Sequence, residues 1–545
     1  MKSNKNNISN VPKFEFSNDI VTQEHQLKSN ELIVRFSESR KNSHQDPYRP
    51  NYHFVSPESL MNDPNGLCYW NGMWHLFYQA YPPEDPRQHW GHAVSENLIH
   101  WKDLPYAIYP SPEKACFSGS TLVEENRVIA MYHGTEEGNM IATSSDPLLL
   151  QWEKITEKAV IPISEGGKSG PSINPDDSPL PYSVWDPCIW KDEDVYYALS
   201  GGTLPHKTSG RRRRANFLFE SKDLKSWKYL HPFIEGDQFT IIGDDGSCPY
   251  FWPIGNRHIL LFFSHMSGGQ SLIGDYDKNE KKFLVTSQHK FNFGSSFPGG
   301  VHAPSATPDG KGGIITIFNM NSARETEGQN PFGWDQIMTL PRRIGILGNN
   351  NIEKDMLKIE PAGDIESLRY NKISKSNILL PANEEICFNE INGNCLEIIA
   401  QIDMNSAPMI ELNVLRSPRK EEFTRICFFA NRGYRNWERY DNWDTKRRME
   451  ASDGIISIDS SQSSLSSDTL SRPPETAPVY LEPKENLELR VFIDKSVLEV
   501  FVNNKQCIAM RIYPSRKDST GISFKSQGET SKILRLLSWK MKTIY

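Results

Sequence analysis

The sequence predicts an all-β protein, a five-bladed β-propeller followed by a C-terminal β-sandwich. Between residues 50 and 345, short aromatic and β-branched runs alternate with Gly, Pro, Asn and Asp turns, and no segment keeps an apolar period of 3.6 residues. A unit of strand, turn and Trp recurs in this region. From about residue 380 the strands become longer and alternate between apolar and polar residues, which is typical of a sandwich.

Length and charge limit the classes of function. The chain has 545 residues, enough for two to four domains, and its formal net charge is −7. An acidic balance offers no field for nucleic acid or an anionic membrane, so we expect neither as a partner. No run of 18 apolar residues occurs, and no signal-like apolar segment follows the N-terminal lysines, which predicts a cytoplasmic location.

The cysteines indicate no disulfide scaffold, and the glycines indicate no phosphate-binding loop. Eight cysteines are too few for a disulfide framework in a chain of this length, and they are expected as free core thiols. Only Cys387 and Cys395 are near enough in sequence to suggest a hairpin pair. No His/Cys cluster has zinc spacing and no Gly-rich loop matches a phosphate cradle, so we expect no metal and no cofactor.

Residues 1–48 are rich in Asn, Ser, Lys and Gln, which predicts a poorly ordered tail. Within it only residues 31–36, ELIVRF, favour a short strand.

Residues 49–350 are assigned to the propeller. Asn71 and Gly72 between two apolar runs predict a hairpin turn. The repeated units end at Trp101, Trp152 and Trp227, with spacings near one and one and a half times the roughly 40–50 residues of a propeller blade. A propeller would gather loops from distant parts of the sequence at one end of its channel, where a small ligand binds. Sandwich packing of the same strands is the alternative.

Residues 351–379 are expected to form a connector, and residues 380–545 the sandwich, in which runs such as LELRVFIDKSVLEVFVNN alternate strictly. The low-complexity segment 451–478, containing SSQSSLSSDTLSRPPETAP, is expected to be a surface loop.

Two carboxylates lie in unusual settings. Asp63 occurs in SLMNDPNG and Asp186 in VWDPCIW, each followed by Pro and each opening a blade-like unit. Asp-Pro is commonly only a turn, but two such units would place both side chains at one end of the channel. Glycoside cleavage requires paired carboxylates. Aromatic rings near them would stack on sugars, although most are expected in the core: Trp70, Trp74, Tyr78, Trp90, Phe117 and Trp334.

The order of the motifs resembles glycoside hydrolase family 32, which contains invertases, fructan hydrolases and fructosyltransferases. The resemblance extends from about Tyr52 to the C-terminus. It implies a five-bladed propeller followed by a sandwich, and retaining cleavage of terminal β-fructofuranosyl linkages in sucrose or fructan oligosaccharides. The motifs, in order, are MNDPNG at 61–66, FYQ at 77–79, WGH at 90–92, FSGS at 117–120, WDP at 185–187 and CP at 248–249.

The resemblance also implies roles for single residues. Asp63 resembles the nucleophile, and Asp186 resembles the carboxylate that stabilises the transition state. The contacts to the terminal fructosyl unit would come from Asn62, Gln79, Trp90, Phe117 and Ser118.

Two positions depart from the family pattern. Trp185 stands where the family has Arg, and Ser247 stands where the family has the Glu that acts as general acid. A serine hydroxyl cannot protonate a leaving group well, because its pKa lies far above neutral.

Two interpretations of the missing acid remain. Asp245 lies two residues before Ser247, on the same face if the segment is a strand, and would replace the acid. Alternatively the acid is absent, residues 244–246 are only a turn, and the protein is impaired or merely binds fructans. We favour the replacement because the nucleophile motif and its neighbours are intact. Asp244 and then Glu235 are the next candidates.

Four consecutive arginines at positions 211–214 are expected on a solvated face. One of them would otherwise supply the charge that is missing at Trp185, recognise an anionic sugar, or bind the phosphate of a phosphorylase.

Overall fold

The computed structural model describes residues 8–545 except 164–179, 206–210, 326–332, 349–354, 431–453 and 483–484. Most of the described residues in regular structure are in strands. The helices are α1 (Ile20–Lys28), α2 (Glu31–Ser43) and a 3-10 helix at Ile365–Leu368. In the described part of the chain no helix is long and apolar enough to cross a membrane.

Five sheets follow one another between residues 61 and 361 of the described chain. The first contains β1 (Met61–Trp70), β2 (Met73–Ala80), β3 (His89–Ser95) and β4 (Lys102–Ile108). The second contains β5 (Cys116–Val123), β6 (Val128–Gly134), β7 (Gly138–Ser144), β8 (Glu153–Lys154) and β9 (Ile161–Pro162). The third contains β10 (Pro187–Asp192), β11 (Val195–Pro205), β12 (Arg212–Ser221) and β13 (Lys228–Pro232). The fourth contains β14 (Ile234–Glu235), β15 (Ser247–Ile254), β16 (Arg257–Ser264), β17 (Gly268–Asp277) and β18 (Lys282–Lys290). The fifth contains β19 (Val301–Pro308), β20 (Ile314–Met320), β21 (Ile337–Met338), β22 (Arg342–Ile346) and β23 (Leu357–Pro361).

The five sheets close into a ring. One edge strand of each sheet, β1, β5, β10, β15 and β19, contacts the next in turn, and β19 contacts β1. At that closure the Leu67 backbone N–H donates to Ser305 Oγ (2.9 Å), and Tyr250 of β15 shares a hydrogen bond with the same oxygen (3.0 Å). The predicted propeller architecture is therefore confirmed. The predicted number of blades stays a prediction, since parts of the region lie outside the described residues.

The Trp-ended repeats occupy equivalent places in three sheets. Each forms the link between the third and fourth strands, β3 to β4, β7 to β8 and β12 to β13. A leucine three residues before each Trp adopts a positive φ, at Leu98, Leu149 and Leu224. Trp152 and Trp227 donate their indole N–H to the carbonyl oxygens of Leu149 and Leu224, at 2.9 Å in both cases. The repeat is thus a turn that returns the chain to the outer strand.

The predicted hairpin at Asn71 and Gly72 joins β1 to β2. Both residues have positive φ, 47° and 83°, and Trp70 pairs with Met73 across the turn. Two left-handed residues match the twist of the flanking strands, which is why Asn-Gly is favoured there.

The N-terminal segment differs from the expectation. Residues 31–36 belong to α2, so the predicted strand is wrong, and the described residues 20–43 form two helices instead of a tail. The Asn30 side chain accepts hydrogen bonds from the backbone N–H groups of Leu32 (3.0 Å) and Ile33 (3.3 Å), which starts the helix. Leu32 and Phe36, four residues apart, are buried in the cluster that contains residues of the first sheet. Capping and helical spacing outweigh the strand preference of this short run.

The connector is shorter than expected. Residues 357–361 form β23 in the fifth propeller sheet, and the first sandwich strand begins at residue 369, so only residues 362–368 lie between the domains. One sandwich sheet contains β24 (Arg369–Leu380), β26 (Cys395–Asp403), β31 (Leu487–Asp494), β32 (Val497–Val502), β33 (Gln506–Arg511) and β35 (Ser531–Met541). The other contains β25 (Glu385–Asn392), β27 (Met409–Arg416), β28 (Thr424–Phe429), β29 (Gly454–Asp459), β30 (Glu475–Val479) and β34 (Gly521–Gln527). The predicted sandwich is confirmed, and its core is almost wholly aliphatic.

The low-complexity segment is more than a surface loop. Its described part includes β29 and most of β30, and it contacts the propeller. Arg324 pairs with Asp468 (2.6 Å), and the Leu470 N–H donates to the Ala323 carbonyl (2.8 Å). Glu475, wholly buried, accepts from the Phe293 N–H. The segment therefore fastens the sandwich to the propeller.

All eight cysteines are free, and six of them are buried. Cys387 is exposed in β25 and Cys395 lies in β26 of the opposite sheet, so the suggested pair does not form.

Candidate active site

Two inner strands bring Asp63 and Asp186 together. Asp63 is the third residue of β1, Asp186 immediately precedes β10, and both are buried. Cys248, the second residue of β15, lies between them: its sulfur is 3.6 Å from Asp63 Oδ2 and 3.3 Å from Asp186 Oδ2. One atom therefore spans the gap between the two carboxylates.

Cys248 is a site residue to which the sequence reasoning gave no role. Burial and the charges of Asp186 and Asp63 hold the pKa of its thiol well above the usual range, so the thiol remains protonated and donates. Its backbone N–H also donates to Asp186 Oδ2 (3.2 Å). The motif CP was the only sequence signal for it.

The two oxygens of Asp63 differ. Oδ2 accepts from the Ser118 hydroxyl (2.7 Å) and from Gln79 Nε2 (3.4 Å), and Gln79 also donates to Ser118 (2.7 Å). Oδ1 is buried and has no hydrogen-bond partner in the described part of the chain. Burial raises the pKa of Asp63, and the hydrogen bond from Ser118 opposes that rise. One oxygen is thus fixed, and the other remains available to form a bond.

Asp186 is buried in the same environment as Asp63. Burial, together with the negative charge of Asp63, raises the pKa of Asp186 to about 7. Near neutral pH the pair therefore shares a proton part of the time, and hydrogen bonds from Cys248 limit this effect.

The other residues predicted to contact the fructosyl unit are either half-buried or completely buried. Asn62 is half-buried beside the pair, and its Oδ1 accepts from Asn319 Nδ2 (3.2 Å). Phe117 is also half-buried, whereas Trp90 is completely buried and donates its indole N–H to the Phe117 carbonyl (2.9 Å). Trp90 therefore supports the strand that carries Phe117. Tyr78 and Trp334 are likewise core residues, as expected for most of the aromatics.

Trp185 places an aromatic ring at the position where the resemblance to the family implies an Arg. Its ring lies 5.9 Å from that of Phe117 and 4.8 Å from that of His133, centroid to centroid. Its indole nitrogen is buried and has no hydrogen-bond partner among the described residues. Within that part of the chain, this donor is therefore unused.

The predicted replacement acid, Asp245, is buried and fully engaged. Its Oδ1 accepts from the Ser247 hydroxyl (2.7 Å), and its Oδ2 accepts from the ring Nδ1 (3.0 Å) and backbone N–H (3.1 Å) of His265. Asp245 is thus paired with a histidine that the sequence analysis did not identify. Nothing in the local motif around His265 signals this contact.

The next two acid candidates lie elsewhere. Asp244 Oδ1 accepts from the hydroxyls of Ser264 (2.7 Å) and Ser267 (2.5 Å), so Asp244 shapes the turn between β16 and β17. Glu235 is exposed in β14, at the opposite edge of the sheet from the inner strand β15. Neither has a free carboxylate at the pair.

The electrostatic surroundings of His265 favour the protonated form of its ring. Burial alone would lower the pKa of this imidazole, but its hydrogen bond with Asp245 and the charges of Asp245, Asp186 and Asp63 raise it. The imidazole therefore interacts with the two carboxylates in a site where Trp185 supplies no positive charge.

The arginine run contributes differently from the expectation. Arg214 is buried, pairs twice with Asp237 (2.6 and 2.8 Å) and lies over the Phe262 ring at 4.8 Å. A solvated face is therefore wrong for Arg214, which braces the third sheet against the fourth. Arg212 and Arg213 are half-buried in β12.

A ring of sheets that brings two buried carboxylates together at its inner strands, followed by a sandwich, fits a glycosidase. The comparisons with known proteins agree. The model of the glycosyl hydrolases family 32 N-terminal domain matches residues 53–361, and that of the family 32 C-terminal domain matches residues 364–540. The chain belongs to glycosyl hydrolase family 32.

Individual relatives support this membership. The chain is 26% identical to a sucrose-6-phosphate hydrolase of Zymomonas mobilis, across 88% of this chain and 90% of that protein. It is 26% identical to a levanase of Bacillus subtilis, across 94% of this chain and 74% of that protein. The crystal structure of fructan 1-exohydrolase IIa from Cichorium intybus superposes with a TM-score of 0.75 at 22% identity, covering 91% of this chain and 98% of that one, which shows the shared fold.

Proposed function

We propose that this glycosidase hydrolyses terminal β-fructofuranosyl linkages of sucrose or fructans with retention of configuration. The observation that carries the proposal is the buried pair of carboxylates on either side of Cys248, with Asp63 Oδ1 unpartnered. The relatives whose names specify sucrose 6-phosphate or levan support the substrate class.

The first step uses Asp63 as the nucleophile. Its Oδ1 would attack the anomeric carbon, while Ser118 and Gln79 hold Oδ2 in place. Asp186, one sulfur atom away, would stabilise the positive charge that develops on the sugar ring. Retention of configuration would follow from the covalent fructosyl intermediate that Asp63 forms and that water then hydrolyses.

The remaining contacts would hold the fructosyl unit. Asn62 and Phe117 border the pair, and the indole N–H of Trp185 is free to donate to a sugar hydroxyl. The proton donor would belong to the pair formed by Asp245 and His265, which occupies the region of the missing family Glu. A cytoplasmic location stays a prediction.

A substrate panel tests the proposal. Sucrose, sucrose 6-phosphate, inulin, levan and fructo-oligosaccharides are incubated with the protein, and released fructose is measured. Hydrolysis of at least one supports the proposal. Fructan binding without turnover would support the impaired binding protein, and turnover only with added phosphate would support a phosphorylase.

Asp63→Asn is the matched catalytic control. It removes the attacking oxygen but keeps the size of the side chain, so turnover of every substrate should fall by at least about 1000-fold. Retention is read by running the reaction in methanol, where methyl β-fructofuranoside is the expected product. The methyl α-fructoside would contradict the double displacement.

A further inference from the structure

We propose that His265 donates the proton to the leaving group, and that Asp245 is the positioning residue that holds its ring. This inference rests on the proposed fructosidase activity and assigns the role that the family Glu has elsewhere. Ser247, at the position of that Glu, donates to Asp245 Oδ1, and Asp245 Oδ2 accepts from His265. The three side chains form one chain of hydrogen bonds.

Asp245 is a poor proton donor in this geometry. Its carboxyl group accepts from the backbone N–H and hydroxyl of Ser247 and from the backbone N–H and ring of His265. Four donors directed at two oxygens occupy the lone-pair sites of this carboxyl group. Asp245 is therefore placed to hold the ring of His265 and presents no O–H to a substrate.

His265 is held firmly in the turn between β16 and β17. Asp244 accepts from Ser264 and Ser267, the residues on either side of this turn, and the imidazole lies 4.6 Å from the Phe263 ring. Nδ1 is used by Asp245, so Nε2 is the nitrogen that has no hydrogen-bond partner among the described residues. About half of the side chain is exposed, which gives a substrate access to it.

The charges around His265 favour the protonated form of its ring. Asp245 contacts it directly, and the charges of Asp63 in β1 and of Asp186, just before β10, also raise its pKa. His302 of β19 is the nearby basic group: burial, and then the charge of His265, lower the pKa of His302 to about 3, so it stays neutral. His302 therefore does not compete with His265 for a proton.

Cleavage of the glycosidic bond transfers one proton from His265 to the leaving group. Asp63 Oδ1 forms a bond to the anomeric carbon while the bond from that carbon to the glycosidic oxygen breaks. The oxygen takes the bonding electrons and the Nε2 proton of His265, which becomes neutral. Water then attacks the anomeric carbon, gives one proton to His265, and releases the Asp63 carboxylate.

The test compares leaving groups. His265→Gln should lose at least about 100-fold in kcat/KM on sucrose but less than 10-fold in kcat/KM on β-fructosyl fluoride, because fluoride leaves without protonation. Azide should restore part of the turnover of the fluoride-derived fructosyl intermediate in this variant. His258→Gln, at the other end of β16, is the matched control and should behave as the wild type on both substrates.

The pH profile separates catalysis from structure. The alkaline limb of kcat/KM in the wild type should reflect His265 and should disappear in His265→Gln. Asp245→Asn should move that limb to lower pH by about one unit or more, because the ring loses its strongest anionic partner.

Three outcomes would overturn the assignment: equal loss on sucrose and fluoride in His265→Gln, unchanged sucrose turnover, or an alkaline limb that Asp245→Asn leaves in place. A wild-type protein that cleaves neither substrate would instead contradict the fructosidase proposal itself, and the His265 role would fall with it. Thermal melting of each variant shows whether a loss of activity is a loss of fold.

Discussion

Asp63 and Asp186 are two buried carboxylates on either side of one sulfur atom, and burial disfavours the ionised form of each residue. Burial raises the pKa values of Asp63 and Asp186, and the negative charge of Asp63 adds to the rise at Asp186, yet the proposed nucleophile, Asp63, must be ionised to act. The thiol of Cys248 donates to both and so opposes the rise. Its positive φ of 46° places the sulfur between them.

Replacing this thiol should move the acidic side of the pH profile. In Cys248→Ala both carboxylates lose a donor, so their pKa values rise further and Asp63 becomes protonated at higher pH. We expect the acidic limb of kcat/KM to shift upward by about half to one unit. Cys248→Ser keeps a donor and is the control. An acidic limb that is the same in the Ala variant and the wild type would exclude this role.

The unused donor of Trp185 predicts a binding effect. Trp185→Phe keeps a ring beside Phe117 but removes the indole N–H. Loss of one hydrogen bond to a sugar hydroxyl costs about 0.5–1.5 kcal/mol, so KM should rise about 2–10-fold with a smaller change in kcat. Trp190→Phe, in the core of the same region, should lower stability without raising KM. A KM that Trp185→Phe leaves unchanged would show that the donor does not meet substrate.

At the scale of the element, α2 shows how capping decides a conformation. Its apolar residues are good strand formers, but Asn30 satisfies two backbone N–H groups at the start, and Arg40 near its end pairs with Asp103 of β4 at 2.5 Å. The helix is therefore fixed at both ends onto the propeller.

Removing the cap should weaken that attachment. Asn30→Ala removes the side-chain acceptor of the Leu32 and Ile33 N–H groups, of which the first is buried, and should cost about 1 kcal/mol of stability. Asn30→Asp, which keeps an accepting oxygen, should cost much less. The measurement is denaturant unfolding together with hydrogen exchange of α2, whose protection should fall first. Equal stability of both variants would argue against the cap.

Across the two domains, a buried cluster of charged side chains joins the segment that precedes the first propeller strand to the sandwich. His53 donates to Asp494 Oδ2 through Nδ1 (2.9 Å) and to Glu499 Oε1 through Nε2 (3.1 Å), and Glu499 also pairs with Arg342 (2.7 Å). Burial alone would lower the pKa of His53, but its hydrogen bonds with the two carboxylates raise it to about 9. The imidazolium therefore links the two domains.

This link makes stability depend on pH. The unfolded pKa is near 6.5 and the folded one about 9, so the contribution is full below pH 6.5 and disappears as pH rises through 9. The gap corresponds to a contribution of the order of 3 kcal/mol. The difference in Tm between wild type and His53→Gln should be large at pH 6 and should shrink by pH 10. A constant difference would show that the charge of His53 is not involved.

The local patterns of the sequence predicted much of the architecture. Asn71-Gly72, the leucine and Trp turns, and the alternation in the sandwich strands are each encoded within a few residues, so propeller and sandwich were predictable. Asp63 and Asp186 were predictable as well, because each sits in a short motif at the start of an inner strand. ELIVRF failed as a strand since its helix depends on the preceding cap and on burial against the first sheet.

The contacts around the pair were decided only by tertiary structure. His265 meets Asp245 because the turn after β16 folds back over the start of β15, and it faces Asp63 and Asp186 only once the sheets close into a ring. The same closure buries Trp90 beneath Phe117. The sequence alone therefore specified the strands and the two motif aspartates, whereas the contact of Asp245 with His265 and the link through His53 depended on which distant side chains the closed fold places within hydrogen-bonding distance. The physical reason is that a sequence motif specifies neighbours along one strand, whereas the partners of His265 and His53 come from separate strands and turns.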